Sequence, residues 1–272
     1  RNWNMRNYIL IDGSYFVFYR VFALQVWWKN AKPDEKLTNP FTNEKFKDKF
    51  IDTFLLKILE IKKKLKMMDA IVIVGKDCPQ QQIWRKSFYP EYKLGRNQEK
   101  NKEANISDFF RLTYERDLFT KAGAHHIVQL DKLEADDCLA ITSKYLYHKY
   151  PDANITIITS DHDYIQLSND RINLMNLKFK SLLDSKAYSG DPKRDLFYKT
   201  ILGDKSDNID GVFDKCGKKT AEKCFDNKEF FFEKLRKENK VDKFIRNKRL
   251  VDFNEIPAVI AEIFYNDILT EF

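Results

Sequence analysis

The sequence predicts an α/β protein, with a mainly parallel central sheet flanked by helices and a smaller helical region after it. Two observations carry this. Short apolar runs rich in β-branched residues alternate with stretches of helical periodicity up to about residue 180, and beyond Lys180 the strand signal gives way to lysine-rich helical segments. In chain order, Tyr8 to Ile11 reads as the first strand and ends at Asp12-Gly13-Ser14. Phe54, Leu55, Ile58, Ile61 and Leu65 recur at helical spacing, and Ala70 to Val74 is the second strand. His126 to Leu130 is the third strand, followed by a helix marked by Ala135, Cys138, Leu139, Thr142 and Leu146. Ile155 to Thr159 and Ile172 to Leu177 complete the set, each too short for a helix. Pro192 and Pro257 mark breaks in the later helices, so the expected division is a core over residues 1–180 and a helical region over 181–272. No internal repeat or low-complexity tract interrupts the pattern.

Composition narrows the classes of function. With 43% apolar residues the chain can build a substantial interior, so it is globular. Lys and Arg outnumber Asp and Glu by 48 to 41, a formal charge of +7. A set of acids concentrated in a few motifs leaves the rest of the surface more basic still, which suits a polyanion such as nucleic acid. Cys78, Cys138, Cys216 and Cys224 show no C-x-x-C spacing, which points to reduced thiols and a cytoplasmic setting. No apolar run approaches a membrane span, and the first residues lack a signal-peptide pattern. The chain opens at Arg1 rather than Met, so a few native residues are expected in front of it.

The acids carry the chemistry. Nine of them fall in five short motifs: Asp12; Asp77; Glu134, Asp136 and Asp137; Asp161 and Asp163; Asp204 and Asp207. Asp12, Asp77 and Asp161 follow the first, second and fourth strands, and the Glu134 group opens the helix after the third. In an open parallel sheet the carboxyl ends of the strands share one edge, where ligands bind. Read singly, Asp12-Gly13 is an ordinary turn and the Glu134 run complements a helix dipole. Together on one edge, such like charges oppose folding unless hard divalent cations sit between them.

Other features are decoys. Gly211 and Gly217-Lys218-Lys219-Thr220 superficially suggest a phosphate-binding loop, but an extra lysine precedes the threonine and the glycine spacing is wrong for ATP. The first strand is followed by a single glycine, against the cluster that a dinucleotide site needs. His125 and His126 have no acidic or cysteine partners at ligand spacing and read as structural.

Specific motifs now add up. Leu10-Ile-Asp-Gly-Ser14, Asp77 followed by Trp84-Arg-Lys86 and Tyr89-Pro-Glu-Tyr-Lys-Leu-Gly-Arg96, Leu133-Glu-Ala-Asp-Asp137, Thr159-Ser-Asp-His-Asp-Tyr164 and Gly203-Asp-Lys-Ser-Asp-Asn208 occur in that order. With them the chain resembles the flap endonuclease and 5′ nuclease family, most closely its T-even bacteriophage ribonuclease H branch, which the segment Leu250 to Pro257 also matches. The resemblance covers nearly the whole chain.

It implies a PIN-like nuclease core and phosphodiester hydrolysis with two Mg²⁺ ions, for which Mn²⁺ can substitute. By position in the family, Asp12, Asp77, Glu134, Asp136, Asp137 and Asp161 surround the first ion, directly or through waters, and Asp163, Asp204 and Asp207 make the second site. Arg85, Lys93 and Arg96 are expected to act on the scissile phosphate, with Lys86 on nucleic acid and Tyr92 stacking on the displaced terminal base. A helical arch is expected near residues 85–115, its mobile part over 97–110.

After Asn208 the family carries a helix-hairpin-helix variant that grips duplex phosphates around a monovalent cation. Here that stretch is Gly211 to Ala221, where Phe213 replaces a proline, Asp214 and Lys215 replace a glycine, and one residue is added. Lys218, Lys219, Thr220 and Lys223 still fit phosphate contacts, while the altered hairpin puts its cation in question. The implied substrates are duplex DNA with a 5′ flap or nick and RNA-DNA hybrids, cut by exonuclease and flap endonuclease action during primer removal. The implied partners are a single-stranded DNA-binding protein and a sliding clamp, with the enzyme itself a monomer. Other readings of the same acids are a single-strand ribonuclease on a related core and a non-catalytic DNA-binding replication scaffold.

Overall fold

The computed structural model describes residues 5–96 and 106–272. Strand β1 (Arg6–Asp12) leads through α1 (Gly13–Ala31) and α2 (Glu44–Leu65) to β2 (Ile71–Gly75). Short 3-10 turns at Gln80–Gln82 and Trp84–Ser87 follow, and after the undescribed residues come α3 (Ile106–Glu115) and α4 (Leu118–Lys121). Then β3 (His126–Val128), α5 (Ala135–Lys149), β4 (Ala153–Ile158), a 3-10 turn at His162–Leu167 and β5 (Ile172–Met175) complete the sheet region. The sheet is wholly parallel, in the order β3-β2-β1-β4-β5, with Leu10 in register with Ile73 on one side and Ile157 on the other.

Alternation along the strands divides the interior. Ile9, Ile11, Val72 and Val74 pack with Phe16, Phe50, Phe54 and Phe109 on one face, while Leu10, Ile73, Ile155 and Ile157 pack with Leu139 and Leu146 of α5 on the other. Apolar residues on both faces are what a parallel sheet covered by helices requires. All five expected strands are present, and the β-branched runs predict them because a doubly covered strand has no polar face.

The chain passes from β1 outward to β2 and β3, then crosses back through α5 to β4 on the far side of β1. That reversal places the C-terminal end of β1 at the topological switch point, the usual ligand crevice of such sheets. Gly13 suits this spot, because a Cβ there would lie 2.6 Å from the Gly75 carbonyl and 2.8 Å from the Tyr114 hydroxyl.

The division at residue 180 needs correction. α6 (Pro192–Leu202), α7 (Lys218–Asp226), α8 (Lys228–Lys237) and α9 (Val241–Val251) do share a small core of their own, built on Tyr198, Ile201, Phe213 and Phe231. The final stretch, with α10 (Ala258–Asp267), returns to the sheet: Phe253, Ile256, Phe264 and Leu269 pack with Leu139 and Tyr164, and Tyr265 meets Tyr145 edge-on at 5.3 Å. Its apolar side chains are buried by the core helix α5, so residues 181–272 do not form one unit. Among the described residues no helix is long and apolar enough to cross a membrane.

Gly203 closes α6 at φ 75°, and a Cβ there would lie 2.3 Å from the Ile209 carbonyl oxygen. Gly203→Ala is therefore expected to lower stability by roughly 1–3 kcal/mol through backbone strain and forced displacement, measured as a shifted urea midpoint at unchanged slope.

Candidate metal and phosphodiester site

Each acid is fixed by the element that carries it. Asp12 ends β1 and caps α1: its Oδ1 accepts from the Tyr15 amide at 3.1 Å, and its Oδ2 accepts from the Tyr164 hydroxyl at 3.0 Å. Burial pushes its carboxyl up to about 7, with Asp77 and Asp161 adding to the effect. Asp77, just past β2, accepts from the Ala135 amide at 2.7 Å and from the Ser14 hydroxyl, tying the ends of β2, α1 and α5 together.

Glu134 caps α5, and Glu134, Asp136 and Asp137 offer carboxylate oxygens all within 4.8 Å of one another. Burial raises Asp136 far above the usual carboxylate range, and the charges of Glu134 and Asp137 raise it further. Burial also acts on Glu134, but the Lys93 ammonium, which donates to its Oε1, and the Arg85 guanidinium outweigh it and hold that carboxyl low.

The other side of the cleft comes from the loop after β4 and from the turn after α6. Asp161 caps the 3-10 turn and accepts from the Asp163 amide at 2.9 Å. Lys199 on α6 bridges Asp163 and Asp204, lying 2.9 Å from the latter. Asp163 is raised by burial and by Asp161, whereas Lys199 overcomes the burial of Asp204 and holds it at about 2. Asp207 is 6% exposed, and Arg96 lies 3.1 Å from its Oδ1, yet among the described residues that oxygen has no aligned hydrogen-bond donor. The distance allows an ion pair; the direction of the N–H does not complete a hydrogen bond.

The acids thus lie on one sheet edge and feel one another's charge, from Asp77 and Asp12 through Asp161 to Asp163 and Asp204. Hard oxygen donors, carboxyls that resist ionising together and an Asp207 oxygen without a donor among the described residues fit divalent cations.

Two expected site residues, Arg85 and Tyr92, stand behind this cluster instead of in it, and Asp137 belongs to it while being held by protein donors. Arg85 is 1% exposed: its Nη1 donates to Glu134 at 2.9 Å and to Asp137 at 2.7 Å, its Nη2 to Asp137 at 2.8 Å, and its Nε to the Leu250 carbonyl at 2.8 Å. A guanidinium so engaged does not reach a phosphate. Asp137 is fully buried and also accepts from Trp84 Nε1 at 3.0 Å and the Glu134 amide at 3.2 Å, which spends its oxygens on protein donors. Tyr92 is 3% exposed with its hydroxyl donating to Glu134 at 3.2 Å, so its ring presents no face to a base. The sequence motif reveals that these residues matter; the direction in which each side chain points is a tertiary matter.

Lys93 and Arg96 do face the cluster, through Glu134 and Asp207. Lys86 is half-buried, and residues 97–105 of the expected arch lie outside the described residues, while 106–110 open α3. Lys218, Lys219 and Lys223 are exposed on α7 with Thr220 half-buried beside them, and Lys223 covers the Phe230 ring at 4.0 Å. Phe213, where the family has proline, fills the core beneath α7, and Asp214 pairs with Lys240 at 3.0 Å. His125 is structural as expected, its Nδ1 accepting from the Val72 amide at 3.0 Å. All four cysteines are free. Lys199 escaped the sequence reading as a lysine among many on a helix, and Tyr164, the last residue of the Thr159 to Tyr164 motif, was given no role there.

A parallel sheet with an acidic switch-point cleft of this kind defines a class of nuclease. The model of the 5′-3′ exonuclease N-terminal, resolvase-like domain matches residues 7–191, and the chain belongs to this 5′-3′ exonuclease family. DNA polymerase I of Streptococcus pneumoniae serotype 4 is 29% identical over 224 residues, 78% of this chain and 23% of the polymerase, so the chain spans under a quarter of that relative's length. The 5′-3′ exonuclease of Buchnera aphidicola subsp. Schizaphis graminum is 28% identical over 78% of this chain and 67% of its own. Among solved structures, bacteriophage T5 5′-exonuclease with bound zinc superposes at a TM-score of 0.65 and 20% identity, covering 97% of this chain and 99% of the other. T5 flap endonuclease in a pseudo-enzyme-product complex with DNA and metal ions superposes at 0.64 and 19% identity, covering 97% and 98%.

The raised acids have a consequence for stability without divalent cations. Asp12 titrates at about 7 in the folded protein against an ordinary 3.8, so between these values the folded chain keeps a proton that the unfolded chain releases, and stability falls as pH rises. Asp136 and Asp163, raised as well, act in the same sense. Asp204, held at about 2, acts oppositely, but its window closes below 3.8. The metal-free protein is expected to melt lower at about pH 7.5 than at about pH 4.5, with Asp12→Asn flattening the slope and millimolar Mg²⁺ raising the melting temperature at the upper pH.

Proposed function

We propose that this chain is a structure-selective 5′ nuclease that hydrolyses phosphodiesters in nicked or 5′-flapped DNA and in RNA-DNA hybrids, as exonuclease and flap endonuclease. The observation that carries the reading is the meeting of acids from separate motifs at the sheet's switch point, with Lys93 and Arg96 facing them and exposed lysines on α7. The family and the metal- and DNA-bound T5 neighbours support it. The setting proposed is replication in the cytoplasm, with the enzyme a monomer that removes RNA primers and flaps beside a single-stranded DNA-binding protein and a sliding clamp.

In this reading Asp12, Asp77, Glu134, Asp136, Asp137 and Asp161 would surround one Mg²⁺, directly or through waters, and Asp163, Asp204 and Asp207 would hold a second. Such ions lower the pKa of an attacking water and stabilise the leaving oxygen. The protein supplies the rest. Tyr164 and Ser14 orient Asp12 and Asp77, while Arg85, itself out of reach of substrate, holds Glu134 in place. Lys93 and Arg96 offset negative charge that grows on the phosphate during displacement, where fixed cations act most strongly. The exposed α7 lysines hold duplex phosphates and set register without reading sequence.

Asp161→Asn is expected to slow Mg²⁺-supported cleavage about a hundredfold or more while binding of a 5′-flap duplex persists; wild-type turnover in this variant and in Asp163→Asn would exclude the site. Comparison of nicked, flapped and RNA-primed duplexes then defines the substrate.

The two basic regions are expected to give opposite signatures. Lys93→Ala should lower kcat far more than it weakens binding. Replacing Lys218 and Lys219 together should weaken binding in Ca²⁺ and flatten its salt dependence by about 0.9 log units per lost phosphate contact. An unchanged salt slope would remove the duplex grip from α7.

A further inference from the structure

The motif from Gly203 to Asn208 ends in a residue with no part in the chemistry above. Asn208 sits at φ 59°, in the left-handed region that asparagine tolerates better than most side chains. Its Nδ2 donates to the Glu91 carbonyl at 2.9 Å, and its own carbonyl accepts from the Tyr89 hydroxyl at 2.9 Å. Next to it, the Asp207 carbonyl accepts from the Lys93 amide at 2.9 Å.

Three hydrogen bonds therefore join the turn that carries Asp204 and Asp207 to the turn that carries Lys93. Lys93 itself has φ 55°, an unfavourable backbone for a long side chain unless its neighbours hold it. The Arg246 guanidinium stacks at 4.6 Å over the ring of Tyr89 and backs the arrangement from α9. An asparagine needed only for its backbone would not require an amide aimed across the gap.

We infer that Asn208 is a positioning residue whose side-chain amide and backbone carbonyl lock the Tyr89 to Lys93 turn onto the Asp204 to Asp207 turn, setting where the Lys93 ammonium meets the acid cluster. This rests on the reading of Lys93 as the cation that faces the transferring phosphate. Asn208 acts through Lys93 and touches no substrate.

Asn208→Gly separates the amide from the backbone, since glycine keeps the left-handed turn and loses only the donor. In single-turnover cleavage of a 5′-flap duplex, this variant is expected to lose on the order of tenfold or more in rate, because small misplacement of a catalytic group is costly. Its affinity for the same duplex in Ca²⁺ should stay within about twofold of wild type, the split of a residue that serves the chemical step. Tyr89→Phe, which removes one hydroxyl and carries the same test where the glycine variant unfolds, should show a smaller loss of the same kind. In a Lys93→Ala background, neither change should slow cleavage further, because coupled residues are not additive. A wild-type rate in both single variants, or losses that multiply in full with Lys93→Ala, would overturn the positioning role while leaving the proposed nuclease site intact. A wild-type rate in Lys93→Ala itself would remove the role of Lys93 and this inference with it.

Discussion

Carboxylates in one cleft repel one another, and burial makes each harder to charge. The fold accepts this cost by giving nearly every acid a fixed partner before any ligand arrives. Backbone amides at helix starts hold Asp12 and Asp77, the Tyr164 hydroxyl adds to Asp12, and Lys93, Arg96 and Lys199 sit opposite Glu134, Asp207 and the Asp163 and Asp204 pair. The parallel sheet makes this possible, because its strand ends deliver acids from distant parts of the chain to one edge.

Arg85 shows how the support is layered. A fully buried guanidinium is tolerable only when its donors are matched, and here they meet Asp137, Glu134 and the Leu250 carbonyl. The last of these lies on α9, so the same side chain ties the acid cluster to the helical region. Arg249 over Phe88 at 4.0 Å and Arg246 over Tyr89 strengthen that join. The segment after β2 is thereby held from both sides, which fixes Lys93 on its irregular backbone.

The C-terminal stretch has a related role. By returning to pack Phe264 and Leu269 against the sheet core, it closes the helical region back onto α5, whose first turn carries Glu134 and Asp136. Helices that in sequence look like an appended duplex-binding unit are thus partly walls of the nuclease core.

The five strands, their parallel arrangement and the acid motifs were legible in the sequence, because period, β-branching and motif spacing are local or ordered along the chain. Family likeness extended that reading to roles. What only the tertiary structure decided was direction. Asp137, Arg85 and Tyr92 belong to the motifs by position, yet the backbone aims them inward, where Arg85 donates to Asp137 and Tyr92 donates to Glu134. Lys199 and Tyr164 became part of the site for the converse reason, since nothing in a lysine on a helix or a tyrosine at the end of an acid motif tells which acid it will face. Sequence order sets which residues reach the sheet edge; whether a side chain there meets solvent or a buried partner depends on packing between segments that the chain brings together only when folded.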